Sequence, residues 1–330
     1  MISIIIPSFN GETRLHGCLD ALRNQSTSRE FEVLIVDDGS TDRTGEIAAN
    51  YANVRVLSQS NQGPAAARNN GANAASGEIL LFTDDDCVPS SVWVEEMARP
   101  FDDERVSGVR GAYGTMQSAV VARLIQVEYD DRYRRMSRLA SVDYIGGYSA
   151  GYRRSVFLAA GGFAAVFTRA SSEDGDLSYR LADQGHTLLF NPRAVVYHHH
   201  PDTLRWYWRR KLKYAYWRML AFKRTPAKAV SDSHTPQMMK LQSLTLPLLL
   251  IGLVMDRLGG WSYFSLALLI GLLFLISVLP LALSAARRDA RLALLIPVAF
   301  FGRSVAHFIG VVAGGTRFFI WPNIAKMLRP

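Results

Sequence analysis

The chain has 330 residues, of which 49% are hydrophobic and 20% are charged, and its formal net charge is +8. Its length allows one large core or two smaller ones. It contains only two cysteines, Cys18 and Cys87, so no disulfide framework is predicted and a reducing compartment is expected. Composition changes along the chain: residues 1–240 are typical of a water-soluble α/β protein, whereas Leu, Ile, Val, Phe and Ala dominate residues 241–330.

Short apolar runs alternate with helical patterns over the first 90 residues. The apolar runs predict four buried strands, at residues 2–6, 31–36, 54–57 and 78–82. Helices are predicted between them, the first on Leu15, Leu19 and Leu22, the second capped by Thr41 or Asp42, and the third at residues 65–75. This alternation predicts an α/β fold: a Rossmann-like, mostly parallel sheet with helices on both faces.

Three polar clusters follow predicted strands, at Pro7–Asn10, Asp37–Ser40 and Thr83–Asp86. Because ligands of such sheets bind at the carboxyl ends of the strands, we expect these clusters to line one site. Asp84 and Asp86 could hold Mg²⁺ or Mn²⁺, which prefer carboxylate oxygens and often bridge a protein to a diphosphate. An acidic turn that caps the strand is the alternative.

Other candidates allow two interpretations each. The segment around Asp38 fits a nucleoside-binding loop or an ordinary turn with a helix cap. Arg68 is either a phosphate clamp or a solvated side chain on an Ala-rich helix. Glu173 and Asp174, within Thr168–Leu181, precede a helical run; they offer a general base or a helix cap. His198 shares a strand face with His200 and could complete a metal site or belong to a solvated cluster.

Basic and aromatic residues alternate over residues 204–224, a pattern that suits a helix lying at the level of lipid headgroups. Single-stranded nucleic acid binding needs similar residues, but the apolar segments that follow favour a membrane. Residues 261–286 and 292–313 are long enough to span a bilayer, and residues 244–255 could form a third span or a re-entrant segment. A cytoplasmic loop is predicted at Arg287, Arg288 and Arg291, because basic residues favour the cytoplasmic side. Three spans would instead place the basic residues Arg317, Lys326 and Arg329 on the opposite side of the membrane. The start of the chain does not match a signal peptide, so the first 200 residues are expected in the cytoplasm.

In order, these segments resemble a family 2 glycosyltransferase of the GT-A fold across about residues 1–225. The resemblance is carried by residues 3–10 (SIIIPSFN), 33–42 (VLIVDDGSTD), 61–70, 77–86 (GEILLFTDDD), 146–154, 161–163 and 173–180 (EDGDLSYR). It implies an inverting, metal-dependent transfer of sugar from a nucleotide-diphosphate sugar of the UDP or GDP type to a membrane-associated, lipid-linked or glycan acceptor. No nucleic acid partner is expected.

The resemblance also implies roles residue by residue. Asp174 would be the catalytic base, with Glu173 beside it. The nucleotide sugar would be bound by Pro7, Phe9, Asp38, Arg68, Asp84 and Asp85. Asp86, Asp84 and His198 would hold Mg²⁺ or Mn²⁺, with Asp86 the principal ligand. The donor-sugar and acceptor pocket would be bordered by Gly146, Gly147, Ser149, Arg205 and Trp206.

One departure from the wider superfamily bears on the product. Processive synthases carry Gln-x-x-Arg-Trp after the base, whereas this chain has Asp202-Thr-Leu-Arg205-Trp206 and too few apolar segments for a long channel. Transfer of a single sugar is therefore expected, with a processive synthase or an inactive nucleotide-sugar-binding membrane protein as alternatives. The predicted organisation is a catalytic domain at residues 1–203, a basic aromatic helix at 204–240, and a multi-pass anchor of two or three spans at 241–330.

Overall fold

The computed structural model describes residues 1–167, 172–259 and 262–321. It divides into two compact units. Unit 1 comprises residues 1–116 and 132–199, and unit 2 comprises residues 117–131 and 200–330, of which 260–261 and 322–330 are not described. The predicted domain boundaries after residues 203 and 240 stay predictions.

Unit 1 is built on an eight-stranded sheet in the order β3-β2-β1-β4-β7-β6-β8-β5. β1, β2, β3 and β4 are parallel, β6 and β8 are parallel, and β7 and β5 run antiparallel to their neighbours. The strands are β1 Ile2–Ser8, β2 Phe31–Asp37, β3 Val54–Ser58, β4 Ile79–Thr83, β5 Cys87–Pro89, β6 Val106–Gly114, β7 Ser149–Arg153 and β8 Thr187–His198. The mostly parallel α/β architecture predicted from the sequence is confirmed.

Helices cover this sheet and connect its strands. They are α1 Leu15–Arg23, α2 Thr44–Ala49, α3 Pro64–Ala74, α4 Trp93–Ala98, α5 Val120–Met136, α6 Arg154–Ala159 and α7 Glu173–Asp183, with residues 120–131 of α5 grouped in unit 2. Two predicted boundaries differ slightly from the structure. β1 continues through Pro7, which still pairs with Val36. α2 begins at Thr44, with Arg43 at its N-cap position, and the Asp42 carboxylate accepts the Thr44 N–H at 3.0 Å.

Unit 2 is helical in its described residues. Its helices are the first part of α5, α8 Leu204–Arg224, α9 Ala227–Val230, α10 Gln237–Ser243, α11 Thr245–Gly259, α12 Ser262–Ala286 and α13 Ala290–Gly315. Within the described residues, three segments are long and apolar enough to cross a membrane, namely Gln237–Met255, Leu266–Ala286 and Ala290–Ile320. The predicted apolar spans are thus confirmed as candidates. Trp261, Lys326 and Arg329 lie outside the described residues.

Two glycines of α13 allow it to pack closely against α8. A Cβ on Gly310 would lie 2.5 Å from the carbonyl oxygen of Leu212, and one on Gly314 would lie 2.4 Å from that of Tyr216. Small residues at a helix contact allow two backbones to approach, a device common among membrane helices. The basic aromatic helix predicted at residues 204–224 is therefore present as α8 and is held along an apolar helix of unit 2.

Candidate active site

The candidate site lies in unit 1, at the edge of the sheet where β1, β2 and β4 end. Because β7 is antiparallel to β4, with Ser149 paired to Thr83, the residues just before β7 reach the same edge. β5 pairs Cys87 with His198, so the end of β8 is carried next to the acidic residues that follow β4. Sequence positions far apart are thus brought together by strand pairing.

The acidic residues after β4 form a cluster of potential metal ligands. Ligand atoms of Asp84, Asp86 and Cys87 all lie within 4.8 Å of one another. The Nε2 atom of His198 is 3.5 Å from Oδ2 of Asp86. Burial opposes ionisation of Asp86, but the hydrogen bond and charge of His198 outweigh it and lower the pKa of Asp86 to about 2. Carboxylate oxygens beside an imidazole suit a divalent cation such as Mn²⁺ or Mg²⁺, so the predicted metal ligands fit that role.

Arg68 joins this cluster to α7. Its guanidinium, 4% exposed, donates to Oδ1 of Asp84 at 2.6 Å and to Oε1 of Glu173 at 3.1 Å. Burial lowers the pKa of Arg68, but the charges of Asp84 and Glu173 outweigh it and raise that pKa above its ordinary value, so the side chain stays charged. Arg68 was predicted to contact the nucleotide or its phosphates; in the structure its direct partners are two carboxylates.

Asp174 stands in the first turn of α7 with partners of a different kind. Its carboxylate accepts hydrogen bonds from the Tyr144 hydroxyl at 3.1 Å, the Gly147 N–H at 3.1 Å and the Gly175 N–H at 2.7 Å. All three donors are neutral. Burial raises the pKa of Asp174, and these donors and the more distant charge of Arg68 only partly oppose that rise. A carboxylate with a raised proton affinity is suited to general-base catalysis.

The residues predicted to bind the nucleoside lie at the ends of β1 and β2. Pro7 is buried within β1, and Phe9 is 46% exposed just after it. The buried Asp38 carboxylate accepts the N–H groups of Gln62 and Gly63, at 2.9 and 2.8 Å, and the side chain of Gln59. Asp38 therefore holds the loop before α3 in place, and Phe9 is the exposed side chain of this group.

Asp85 is directed away from the acidic cluster. It accepts a hydrogen bond from the Ser8 hydroxyl at 2.6 Å and pairs with Arg14 at 3.0 Å. Burial raises the pKa of Asp85, while these two partners oppose the rise. The three consecutive aspartates thus have three different environments: Asp84 faces Arg68, Asp85 faces Arg14 and Asp86 faces His198.

The residues predicted for the sugar pocket belong to both units. Gly147 borders Arg68: a Cβ there would lie 3.6 Å from the guanidinium. Gly146 precedes it, but Ser149 is fully buried and accepts the indole N–H of Trp93 at 2.9 Å. Arg205 and Trp206 belong to α8 in unit 2, where Trp206 is 64% exposed.

An aromatic group that was not predicted from the sequence supports Asp174. The fully buried Arg110 donates to the Tyr144 carbonyl at 3.2 Å and to the Tyr148 hydroxyl at 3.0 Å. Its guanidinium also lies over the Tyr144 ring, 5.1 Å from the centroid. This arrangement orients the hydroxyl that contacts Asp174. The two tyrosines that flank Gly146 and Gly147 were the available signal.

The edge of the sheet thus combines polar strand ends, an acidic cluster compatible with a metal ion and a buried carboxylate at the start of a helix. Residues 3–159 match the family model described as Glycosyl transferase family 2.

Known proteins with similar sequences and folds agree with this assignment. Glycosyltransferase AglE of Haloferax volcanii is 42% identical over 100 residues, 28% of this chain and 33% of that protein. The pre-mycofactocin glycosyltransferase of Mycobacterium tuberculosis is 29% identical over 222 residues, 64% of this chain and 46% of that protein. The mannosyltransferase PcManGT of Pyrobaculum calidifontis, solved with GDP-Man and Mn²⁺, has the same GT-A fold, with a TM-score of 0.61 and 21% identity over 95% of this chain and 86% of that chain. The chain spans from about a third to about a half of the length of several curated relatives.

Proposed function

We propose that the chain is an inverting, metal-dependent glycosyltransferase that uses a nucleotide-diphosphate sugar. The observation that carries the proposal is the setting of Asp174. Its carboxylate has neutral hydrogen-bond donors and a raised pKa, beside the Arg68 bridge and the acidic cluster. A base with high proton affinity next to a site for a metal and a diphosphate is what sugar transfer with inversion needs.

In the proposed reaction, Asp174 takes the proton of the acceptor hydroxyl while that oxygen attacks the anomeric carbon. The bond from this carbon to the diphosphate oxygen breaks, and its electron pair leaves with the nucleoside diphosphate. Asp84, Asp86 and His198 would hold a divalent cation, which offsets charge on the departing diphosphate. The Tyr144 hydroxyl and the Gly147 N–H orient the Asp174 carboxylate, and Arg68 holds α7 next to the strand end that carries Asp84.

The nucleoside would lie between the exposed Phe9 and the loop fixed by Asp38, with a UDP- or GDP-type donor. PcManGT, which shares the fold, was solved with GDP-Man and Mn²⁺, and this supports a donor of that class with Mn²⁺ or Mg²⁺. Arg205 and Trp206 are proposed to contact the acceptor.

The acceptor is proposed to be a membrane lipid, a lipid-linked glycan or another glycan at the membrane. Three apolar helices that could cross a bilayer support a membrane location. Arg287, Arg288 and Arg291, between the second and third of these helices, favour a cytoplasmic loop, and a cytoplasmic catalytic unit would have access to nucleotide sugars.

Nucleotide release by the detergent-purified protein tests the proposal. A panel of nucleotide sugars is supplied with Mn²⁺ or Mg²⁺, with and without a membrane lipid extract. We expect release with one donor class, loss of release on chelation, and a fall of at least about 100-fold in Asp174→Asn. Asp183→Asn, an exposed carboxylate change on the same helix, is the matched control and should keep wild-type release. Donor binding without release under every condition would instead favour a nucleotide-sugar-binding protein, and long products would favour a processive synthase.

A further inference from the structure

α12 and α13 pack against each other over part of their length. A buried apolar cluster of unit 2 contains four residues from the second half of α12, namely Phe274, Val278, Ala282 and Ala285. From α13 it contains residues of the first half, between Leu292 and Phe300. Residues 266–273 of α12, in contrast, are all at least partly exposed. The buried contact between these two helices therefore stops at about the middle of each.

α8 accompanies the second half of α13. The Trp208 indole donates to the Ala299 carbonyl at 2.9 Å, and the Lys223 ammonium donates to the Phe318 carbonyl at 2.6 Å, so the two helices run in the same direction. Over this length α8 carries exposed cations, on Arg209, Lys213, Lys223 and Arg224. Because charged side chains are costly in hydrocarbon, a crossing of the bilayer by α13 would carry these side chains into an unfavourable environment.

α13 also carries polar groups at its own middle. The buried Arg303 guanidinium donates to the Glu128 carboxylate of α5 at 3.2 Å. One turn later, Nδ1 of His307 and the Ser243 hydroxyl share a hydrogen bond of 2.8 Å. A bilayer crossing needs about 20 residues, and any such stretch of Ala290–Ile320 includes both Arg303 and His307. These partners make α13 a poor membrane span in spite of its length.

α11 and α12 form an antiparallel pair with a different character. Gln242, just before α11, donates to the Ser277 hydroxyl of α12 at 2.8 Å. Ten residues further along the chain, Gly252 faces Ala267, which lies ten residues earlier in α12. The sequence of α12, Ser262–Ala286, contains no charged residue. An antiparallel pair of this kind can cross a bilayer and return, which leaves its two ends on the same side.

We propose that α11 and α12 are the two membrane crossings of unit 2, and that α8 and the second half of α13 lie together along the lipid headgroups. The exposed cations of α8 then meet lipid phosphates, and its aromatic side chains reach the boundary of the acyl chains. The end of α13, with Arg317, stays on the same side as the loop of Arg287, Arg288 and Arg291, as the preference of basic residues for one side requires. This arrangement is independent of the proposed transfer reaction.

Labelling of single cysteines in sealed membrane vesicles of both orientations tests the number of crossings. Cys18→Ser with Cys87→Ser gives a full-length background without cysteine, and the wild type can replace it because both native cysteines are fully buried. Ala286→Cys, Arg257→Cys and Thr316→Cys, all at exposed positions, are treated with a membrane-impermeant maleimide. We expect Ala286→Cys and Thr316→Cys to react from one side and Arg257→Cys from the other. Any other pattern, above all Thr316→Cys reacting from the side of Arg257→Cys, overturns the proposal.

The position of α8 is tested with the same reagent. Lys213→Cys, at an exposed position level with the second half of α13, should react from the side of Ala286→Cys, because a thiol among the headgroups is accessible to water. Ile276→Cys, at a 62% exposed position of α12, is the matched control and should be protected from both sides by hydrocarbon. Equal protection of Lys213→Cys and Ile276→Cys would overturn the headgroup position of α8.

Discussion

Removal of one hydroxyl group should shift the pH dependence of the proposed transferase. Tyr144 donates its hydroxyl to the Asp174 carboxylate at 3.1 Å, and this bond favours the ionised form. In Tyr144→Phe the ring is kept, and the guanidinium of Arg110 can still lie over it. The pKa of Asp174, already raised by burial, should therefore rise further.

The size of the shift follows from the energy of the bond. A hydrogen bond to a charged group contributes about 1.5–3 kcal/mol, and one pKa unit corresponds to about 1.4 kcal/mol. Because two backbone N–H groups still bind the carboxylate and the contact is long, we take the lower limit, a rise of about one unit. Asp174 acts as a base only when ionised, so the acidic limb of the profile should move to higher pH. At pH values below the pKa of Asp174 in both proteins, nucleotide release by Tyr144→Phe should be about tenfold slower than release by the wild type.

The assay is kcat/KM for nucleotide release across pH, for wild type and Tyr144→Phe. Tyr51→Phe is the matched control, because the Tyr51 hydroxyl also donates to a carboxylate, that of Asp20 at 3.0 Å, on another part of unit 1. The control should have the wild-type profile. An acidic limb of Tyr144→Phe that stays in place or moves to lower pH would refute the role given to Asp174.

Two further substitutions test how each unit is held together. Arg68→Met removes the cation shared by Asp84 and Glu173, which should lower the free energy of unfolding by about 3–5 kcal/mol and lower the thermal midpoint. The control Arg43→Met, at a 65% exposed side chain, should change the free energy of unfolding by less than about 0.5 kcal/mol. Similar midpoints for the two variants would contradict the buried bridge. Gly310→Ala places a Cβ 2.5 Å from a backbone oxygen of α8 and should lower the thermal midpoint of the protein in detergent. The control Gly315→Ala, whose Cβ has no atom within 4 Å, should keep the wild-type midpoint. Equal midpoints for the two variants would show that the close helix contact is absent.

The first half of the sheet could be predicted because buried parallel strands are nearly continuous apolar runs. Ile2–Ile6 is such a run, and the polar residues after it mark the ligand edge. The second half gave weaker signals. β7 consists of Ser149-Ala-Gly-Tyr-Arg153, and β6 buries Arg110, so neither carries an apolar pattern. These strands are fixed by pairing with distant neighbours, which local patterns do not encode.

The residues of the candidate site could be predicted from the sequence, but their hydrogen-bond and ion-pair partners could not. Asp174 and Asp84 were assigned from motifs, yet the contact of Arg68 with Glu173 joins residues 105 positions apart. Asp38 was expected to face a ligand, and its carboxylate accepts backbone N–H groups of the loop before α3. Which neighbour a charged side chain contacts depends on how α3, α7 and the strand ends are placed by the tertiary fold.

The charge at the sheet edge provides a separate argument for metal dependence. Five carboxylates lie at this edge, on Asp84, Asp85, Asp86, Glu173 and Asp174. Arg14 pairs with Asp85, Arg68 pairs with Asp84 and Glu173, and His198 lies beside Asp86. Both guanidiniums are engaged with carboxylates, so a donor diphosphate would meet an excess of negative charge. A divalent cation held by Asp86 would offset this negative charge and favour diphosphate binding. Asp174, whose direct partners are neutral, would then be free of an ion-pair partner in direct contact and could take a proton from the acceptor.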